Sequence, residues 1–390
     1  MRIVMSSSDF FPNVGGVAGV VANLSRVLAK HGHAVTILHW AVRQESKTST
    51  PGANLGGAVV REVRLSPAGR IRRRFLWMGE ISETVPHLEA VQEADIIHCH
   101  TAHPDGFAIR YFPNTAVKVF TNHTSGFIAA TRHSWRRLEW RYLLGGFDLI
   151  LAPSRELVRL SAQCTRTPVV YIPNGVDPSE FNSDTVSREE ARRRLRIPED
   201  ALVVLAVRRF EPKNGLRYLA EACPQVSRAF PRSLFVFCGP PSVTTEYIAI
   251  RSIIDRHGLG NTVRFEGSVP NNQMLTYYLA ADVAVIPSLM EATSLSGLEA
   301  MACGVPQVAT KVGGLAEILE DNDTGILVEP ADPKALADAI CRLLNSRKLR
   351  IEMGERARKA AIGRFSWEAV GETTENEYLS ACARRRDAAK

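Results

Sequence analysis

The sequence predicts an α/β protein built on two doubly wound parallel sheets, and three observations carry the prediction. Short apolar runs alternate with amphipathic helical stretches along nearly the whole chain, the pattern of repeated βαβ units. The alternation is interrupted once, at Tyr171-Ile-Pro173-Asn174-Gly175-Val176-Asp177-Pro178, where turn-forming residues dominate. A length of 390 residues also suits two cores of ordinary size. The predicted domains are therefore 1–172 and 173–365, followed by a helix over 366–390 that starts at Ser366 as cap.

In the first domain, strands are expected at 2–6, 33–38, 58–63, 95–99, 117–121 and 149–152. The first is followed by Ser8-Asp9-Phe10-Phe11-Pro12-Asn13-Val14-Gly15-Gly16-Val17-Ala18-Gly19 and then a helix to about Lys30. A glycine-rich turn between strand and helix is where such a sheet binds phosphate. A dinucleotide site fits poorly. Gly16-x-x-Gly19 matches the end of G-x-G-x-x-G, but Val14 stands at the first glycine, and the second strand ends in His39-Trp40, not in a ribose-binding acid. Taken alone, Gly15-Gly16 reads equally well as a tight turn. Two later loops hold histidines, His98-Cys99-His100-Thr101-Ala102-His103 and Thr121-Asn122-His123-Thr124. Without a carboxylate cluster, His98 and His100 make a poor metal site. His123, at a strand end, is a candidate for orienting or polarising a hydroxyl.

The second domain restarts the alternation, with strands expected at 202–207, 234–238, 262–265, 283–287, 307–309 and 326–328. Arg208-Arg209-Phe210-Glu211-Pro212-Lys213-Asn214-Gly215 follows the first of them, and Arg and Lys there suit the phosphates of an anionic ligand. The strand at 283–287 leads into Glu291-Ala292-Thr293-Ser294-Leu295 and a short helix stopped by Gly304 and Pro306. Thr293, Ser294 and Ser296 are all candidate N-caps. The helix start aims backbone N–H groups and partial positive charge beyond the strand end, between two carboxylates, Glu291 and Glu299. Ser296-x-x-Glu299 also spells a capping box, in which Glu299 would merely satisfy the Ser296 amide.

Composition bounds the partners. With 45% hydrophobic and 23% charged residues this is a globular chain, and no apolar run approaches the ~20 residues of a transmembrane helix. Met1-Arg2-Ile3 enters a strand almost at once, which predicts no signal peptide. Seven scattered cysteines without a C-x-x-C pair argue for reduced thiols and a cytoplasmic chain. The net charge of +7 favours anionic partners, with nucleic acid disfavoured because no binding motif accompanies it. Asp321-Asn322-Asp323 imitates a metal-binding D-x-D but sits in a turn before Thr324-Gly325.

The spacing Glu291, seven residues, Glu299, followed by Ala300-Met301-Ala302-Cys303-Gly304-Val305-Pro306, resembles the donor-sugar motif of the retaining glycosyltransferases of family 4, which have the GT-B fold. Gly313-Gly314-Leu315-Ala316-Glu317 and Thr324-Gly325-Ile326-Leu327-Val328 continue that pattern, and 171–181 resembles the family's hinge. The resemblance spans nearly the whole chain. It implies two Rossmann-like domains facing across a cleft, an acceptor-binding first domain onto which the last helix crosses back, and a nucleotide-sugar-binding second domain. It further implies that Gly15-Gly16 packs against a donor diphosphate, that Thr121-x-His123 places His123 beside the anomeric centre, and that Glu299 binds the nucleotide ribose. Glu291 would hold donor-sugar hydroxyls, Thr293, Ser294 and Leu295 would line the donor, and Lys213 with Arg208 or Arg209 would meet the leaving diphosphate. The expected reaction is metal-independent, without cofactor, and moves a sugar from a UDP- or GDP-sugar to a lipid-linked or phosphate-bearing hydroxyl. Attack would come from the face of departure, a donor phosphate oxygen taking the acceptor proton.

Two departures stand out. The family lysine sits directly before the glycine, where this chain has Asn214, so the choice between Arg208 and Arg209 stays open. The family's Gly-Phe-Gly after the first Glu is replaced by Ala292-Thr293-Ser294. Competing readings are an epimerase or hydrolase of the same fold, a non-catalytic sugar-nucleotide-binding protein, and a membrane scaffold. The last rests on two basic-aromatic segments, 71–78 and 132–144, that suit peripheral contact with an anionic membrane.

Overall fold

The computed structural model describes residues 1–10, 16–42, 54–65, 89–110, 112, 115–131 and 133–388. The chain forms two compact units, Met1–Asn174 with Trp367–Lys390, and Gly175–Ser366.

The first unit holds β1 (Arg2–Ser7), β2 (Ala34–Val42), β3 (Asn54–Leu55), β4 (Ala58–Leu65), β5 (Ile96–Cys99), β6 (Val117–Thr121), β7 (Leu149–Ala152) and β8 (Val169–Tyr171). They form one sheet in the order β3-β4-β2-β1-β5-β6-β7-β8, parallel throughout except that β3 pairs antiparallel to β4. β3 and β8, two and three residues long, are too short to show a sequence period and were not anticipated. β1 lies between β2 and β5, with Ile3 opposite both Val35 and Ile96, so the loops after β1 and β5 open at the sheet's switch point.

The Gly16–Lys30 helix buries Val20, Val21, Leu24, Val27 and Leu28, a 3.6-residue stripe facing the sheet. The Trp367–Ala388 helix packs against it within the same unit. A Cβ on Gly371 would lie 2.4 Å from Val27 Cγ1, so glycine lets the two helices approach. Glu368 pairs with Lys30 at 3.2 Å, Glu375 with His31 at 2.9 Å and His33 at 3.1 Å, and Arg385 with Asp148 at 2.6 Å. Buried Tyr378 reaches the sheet itself, its Oη 2.6 Å from His98 Nδ1.

The second unit holds β9 (Leu202–Val207), β10 (Ser233–Cys238), β11 (Val263–Gly267), β12 (Val283–Ile286), β13 (Gln307–Thr310) and β14 (Ile326–Val328), all parallel, in the order β11-β10-β9-β12-β13-β14. The chain grows outward from β9 to β11, then returns to place β12 against β9. Asp282, just before β12, is nearly enclosed and fixes that return. It accepts from Val203 N at 2.8 Å and pairs with Arg192 at 2.9 Å and Arg188 at 2.6 Å. Apolar helix faces cover both sides of the sheet, which explains why its strands read as continuous apolar runs. No described helix is long and apolar enough to cross a membrane.

Candidate active site

In a doubly wound sheet, ligands bind beyond the strand C-termini where the strand order reverses. In the second unit that place lies between β9 and β12, whose following loops carry Arg208, Arg209, Lys213, Glu291, Thr293 and Ser294. The two loops are pressed together. Gly215 has φ +66°, and a Cβ there would sit 1.8 Å from the Pro287 carbonyl oxygen. Leu289 N donates to Lys213 O at 2.7 Å. Buried Asn214 donates through Nδ2 to Arg209 O at 2.8 Å, so the residue standing where the family has lysine latches the loop to itself.

The latch separates the two arginines. Arg208 Nη2 lies 2.5 Å from Glu291 Oε2 and donates to Ser294 Oγ at 3.0 Å. Its Nε is buried and unpartnered among the described residues. Arg209 points away, 58% exposed, toward Glu211 at 3.6 Å, and Lys213 also pairs with Glu211, at 3.4 Å. Thus Arg208 and Glu291 are brought together, and Arg209 is not with them.

The helix after β12 runs Leu295–Ala302 with Ser294 as its N-cap, whose Oγ accepts from Gly297 N at 3.1 Å. The first N–H groups of the helix, starting at Leu295, lie beside Arg208 and add partial positive charge at the same spot. Ser288 Oγ donates to Glu291 Oε2 at 3.5 Å, while Thr293 Oγ1 donates to Ala292 O at 2.8 Å. The loop after β13 supports Glu291 from behind. Gly314 N donates to Glu291 O at 3.2 Å, and a Cβ on Gly314 would lie 2.2 Å from Ala292 O.

The capping-box reading of Glu299 does not hold. Ser294 supplies the cap, and Glu299 Oε2 instead accepts from Tyr278 Oη at 2.7 Å. Burial pushes the Glu299 carboxyl up to about 7, the Tyr278 hydrogen bond and Arg208 opposing and Glu180 adding to the rise. Sequence reasoning missed Tyr278. Its one signal was an aromatic pair, Tyr277-Tyr278, on the Asn271–Ala280 helix that feeds β12. The Asp321 run is a turn: Asn322 has φ +61°, Asp321 Oδ1 accepts from Leu327 N at 2.9 Å, and Asp323 pairs with Arg356 at 2.7 Å.

In the first unit, Gly15 lies outside the described residues, and exposed Gly16 opens the first helix. His123, just past β6, joins a row of imidazoles. Its Nε2 is 3.0 Å from His100 Nδ1, and the His98 and His100 rings are 4.0 Å apart. His98 is held between Thr121 Oγ1 and Tyr378 Oη, each at 2.6 Å, which makes it a packing residue. Burial pushes His123 down to about 4 and, with His123 beside it, His98 to about 3; burial and both neighbours push His100 well down. The row is therefore uncharged at neutral pH, and His123 offers a hydrogen bond, not a cation. His100 Nε2 is buried without a partner among the described residues.

Residues 14–180 match the family described as Glycosyltransferase Family 4, and residues 187–360 match Glycosyl transferases group 1. The D-inositol 3-phosphate glycosyltransferase of Geodermatophilus obscurus is 30% identical over 395 residues, covering 95% of this chain and 85% of its own. Sucrose-phosphate synthase from Thermosynechococcus elongatus superposes with a TM-score of 0.83 at 26% identity, over 98% of this chain and 99% of that one. Anabaena HepE, solved in complex with UDP-glucose, shares the fold with a TM-score of 0.79 at 20% identity, over 97% and 99% of the two chains. With two parallel Rossmann-like sheets, a Glu291–Glu299 pair at the second switch point and these relatives, the chain belongs to the group 1 glycosyltransferases of family 4 and is a sugar-transferring enzyme.

Proposed function

We propose that the enzyme transfers a sugar, with retention and without a metal ion, from a nucleoside diphosphate donor to an acceptor hydroxyl. The observation that carries this reading is Arg208, ion-paired to Glu291, bonded to the helix cap Ser294, and still holding one buried unpartnered N–H. A diphosphate oxygen would satisfy that N–H and the first amides of the Leu295–Ala302 helix together. Fixed positive charge of this kind can meet the charge developing on a leaving diphosphate.

The roles proposed for the residues are these. Arg208 binds the diphosphate and Arg209 stays outside; Lys213, now paired with Glu211, would turn from it to help hold the diphosphate. Glu291, oriented by Arg208 and Ser288, holds donor-sugar hydroxyls and favours an oxocarbenium-like transition state. Glu299, released from Tyr278, takes the ribose hydroxyls. Thr293, Ser294 and Leu295 line the donor, and in the first unit neutral His123 orients a hydroxyl. The acceptor attacks from the face the diphosphate leaves, and its proton passes to a donor phosphate oxygen.

HepE solved with UDP-glucose supports a UDP-sugar over a GDP-sugar, and the relative named for D-inositol 3-phosphate supports a phosphate-bearing polyol as acceptor. The test is mass spectrometry of released nucleotide from a panel of UDP- and GDP-sugars, in EDTA, with and without inositol phosphates and lipid-linked acceptors. Acceptor-dependent release with an α-linked product from an α-linked donor is expected. Equal release without any acceptor would instead mark a hydrolase or epimerase, and dependence on added manganese would overturn the metal-free site.

A further inference from the structure

The Ser134–Leu144 helix of the first unit has two apolar rows. On the inner row Leu143 and Leu144 are buried, and the Trp140 ring meets Phe127 edge-on at 4.7 Å. On the outer side Trp135, Leu138 and Tyr142 are 64%, 66% and 46% exposed. Spacings of three and four residues set those three in line along one face. Side chains left this far in water contribute little to the core, so the fold does not account for a row of this kind.

Three of the four charged residues on the helix are arginines. Arg136, Arg137 and Arg141 are exposed, and the one acid of the helix, Glu139, is engaged by His103 at 3.2 Å. The Arg136 guanidinium lies 5.1 Å from the Trp135 ring centre, so that cation and ring face outward together, while half-buried Arg110 packs 4.1 Å from the Tyr142 ring centre. Trp, Tyr and Leu framed by arginine match the boundary between lipid headgroups and acyl chains, where rings sit at headgroup depth and guanidinium groups meet phosphate. A second copy of this chain fits worse, because pairing the face with itself would bring like-charged arginines together.

We propose that the Ser134–Leu144 helix docks the first unit on an anionic lipid bilayer. The proposal is independent of the sugar-transfer chemistry, because its readout is vesicle binding alone. The full chain is sedimented with phosphatidylcholine vesicles and with vesicles containing about a third phosphatidylglycerol, at low and high salt. Binding is expected only to the anionic vesicles, weakening with salt. The triple change Trp135→Ser, Leu138→Ser, Tyr142→Ser should lower the partition at least about tenfold, and each of Arg136→Gln and Arg141→Gln by about fivefold. Ile362→Ser, at an exposed apolar residue of the second unit, should change nothing, and circular dichroism with UDP binding checks that every variant is folded. Failure of the wild type to bind, or triple-variant binding equal to wild type, overturns the proposal. So does an oligomer, seen by sedimentation velocity, that the triple change dissolves, since the face would then be an interface between copies.

Discussion

Arg208 Nη2 and Glu291 Oε2 stand 2.5 Å apart, and the two side chains are equally enclosed, each 12% exposed. One comes from the loop after β9 and the other from the loop after β12, so the pair exists only because the strand order reverses between them.

Arg208 and Arg209 should therefore differ sharply although they are adjacent. A charge-assisted contact to a desolvated phosphate is worth about 1.5–3 kcal/mol, so Arg208→Ala should weaken UDP binding roughly 10- to 150-fold. Uridine affinity should barely move. Arg209→Ala, at a side chain 58% exposed, should cost less than about threefold. Calorimetry of both variants against UDP, UMP and uridine checks this, and the reverse ranking would refute the site.

Glu291→Gln should lower kcat far more than it weakens UDP binding, because the role proposed for Glu291 is on the sugar and not on the nucleotide. A loss of about 100-fold or more in turnover with UDP affinity within a few-fold of wild type is the expected result. Equal losses in both would move Glu291 to the nucleotide.

Glu299 sets a pH dependence. Its carboxyl sits near 7, pushed there by burial, so it is protonated below that pH and ionised above it. In the proposed role, ribose hydroxyls would donate to the ionised form, so UDP affinity should rise about tenfold per unit as pH climbs toward 7 and level off above. The same shift opposes folding as pH rises from the ordinary carboxylate range through 7, because the folded state holds the proton more tightly than the unfolded chain. Glu299→Gln should flatten the binding profile, measurable by calorimetry from pH 5.5 to 8.5, and should relieve the loss of stability at the alkaline end.

Gly215→Ala should be among the costliest small changes in the second unit. The position has φ +66°, and the added methyl would stand 1.8 Å from Pro287 O. Backbone strain alone costs about 1–3 kcal/mol, and relieving the clash parts the two loops that carry Arg208 and Glu291. Denaturant unfolding should show a loss of about 3 kcal/mol or more, with UDP binding weakened in the same variant.

Much of the fold was legible because buried parallel strands are unbroken apolar runs bounded by turns, as at Leu202–Val207 and Val283–Ile286. β3 and β8 were illegible because a two- or three-residue strand has no period to read. At the site, Glu291 was legible as a carboxylate beside a helix start, but Arg208 and Arg209 were indistinguishable. Both follow β9, and what separates them is the distant loop that carries Glu291 and Ser294, together with the Asn214 latch. Glu299 was misleading for the opposite reason. A local motif explained it well, while its real partner, Tyr278, lies on another helix that no spacing rule connects to it.

The Trp367–Ala388 helix also bears on how the polypeptide is made. It completes the first unit, where Tyr378 reaches His98 and Arg385 reaches Asp148, yet it is synthesised after the whole of the second. On the ribosome, residues 1–174 emerge first but must wait through almost two hundred more before their last helix is available. The second unit is contiguous, Gly175–Ser366, and has all of its own strands as soon as it clears the exit tunnel. The order of maturation is thus inverted with respect to the order of translation. Until that helix arrives, the Val27 face of the opening helix has no partner to cover it, and transiently exposed apolar surface of this kind favours aggregation.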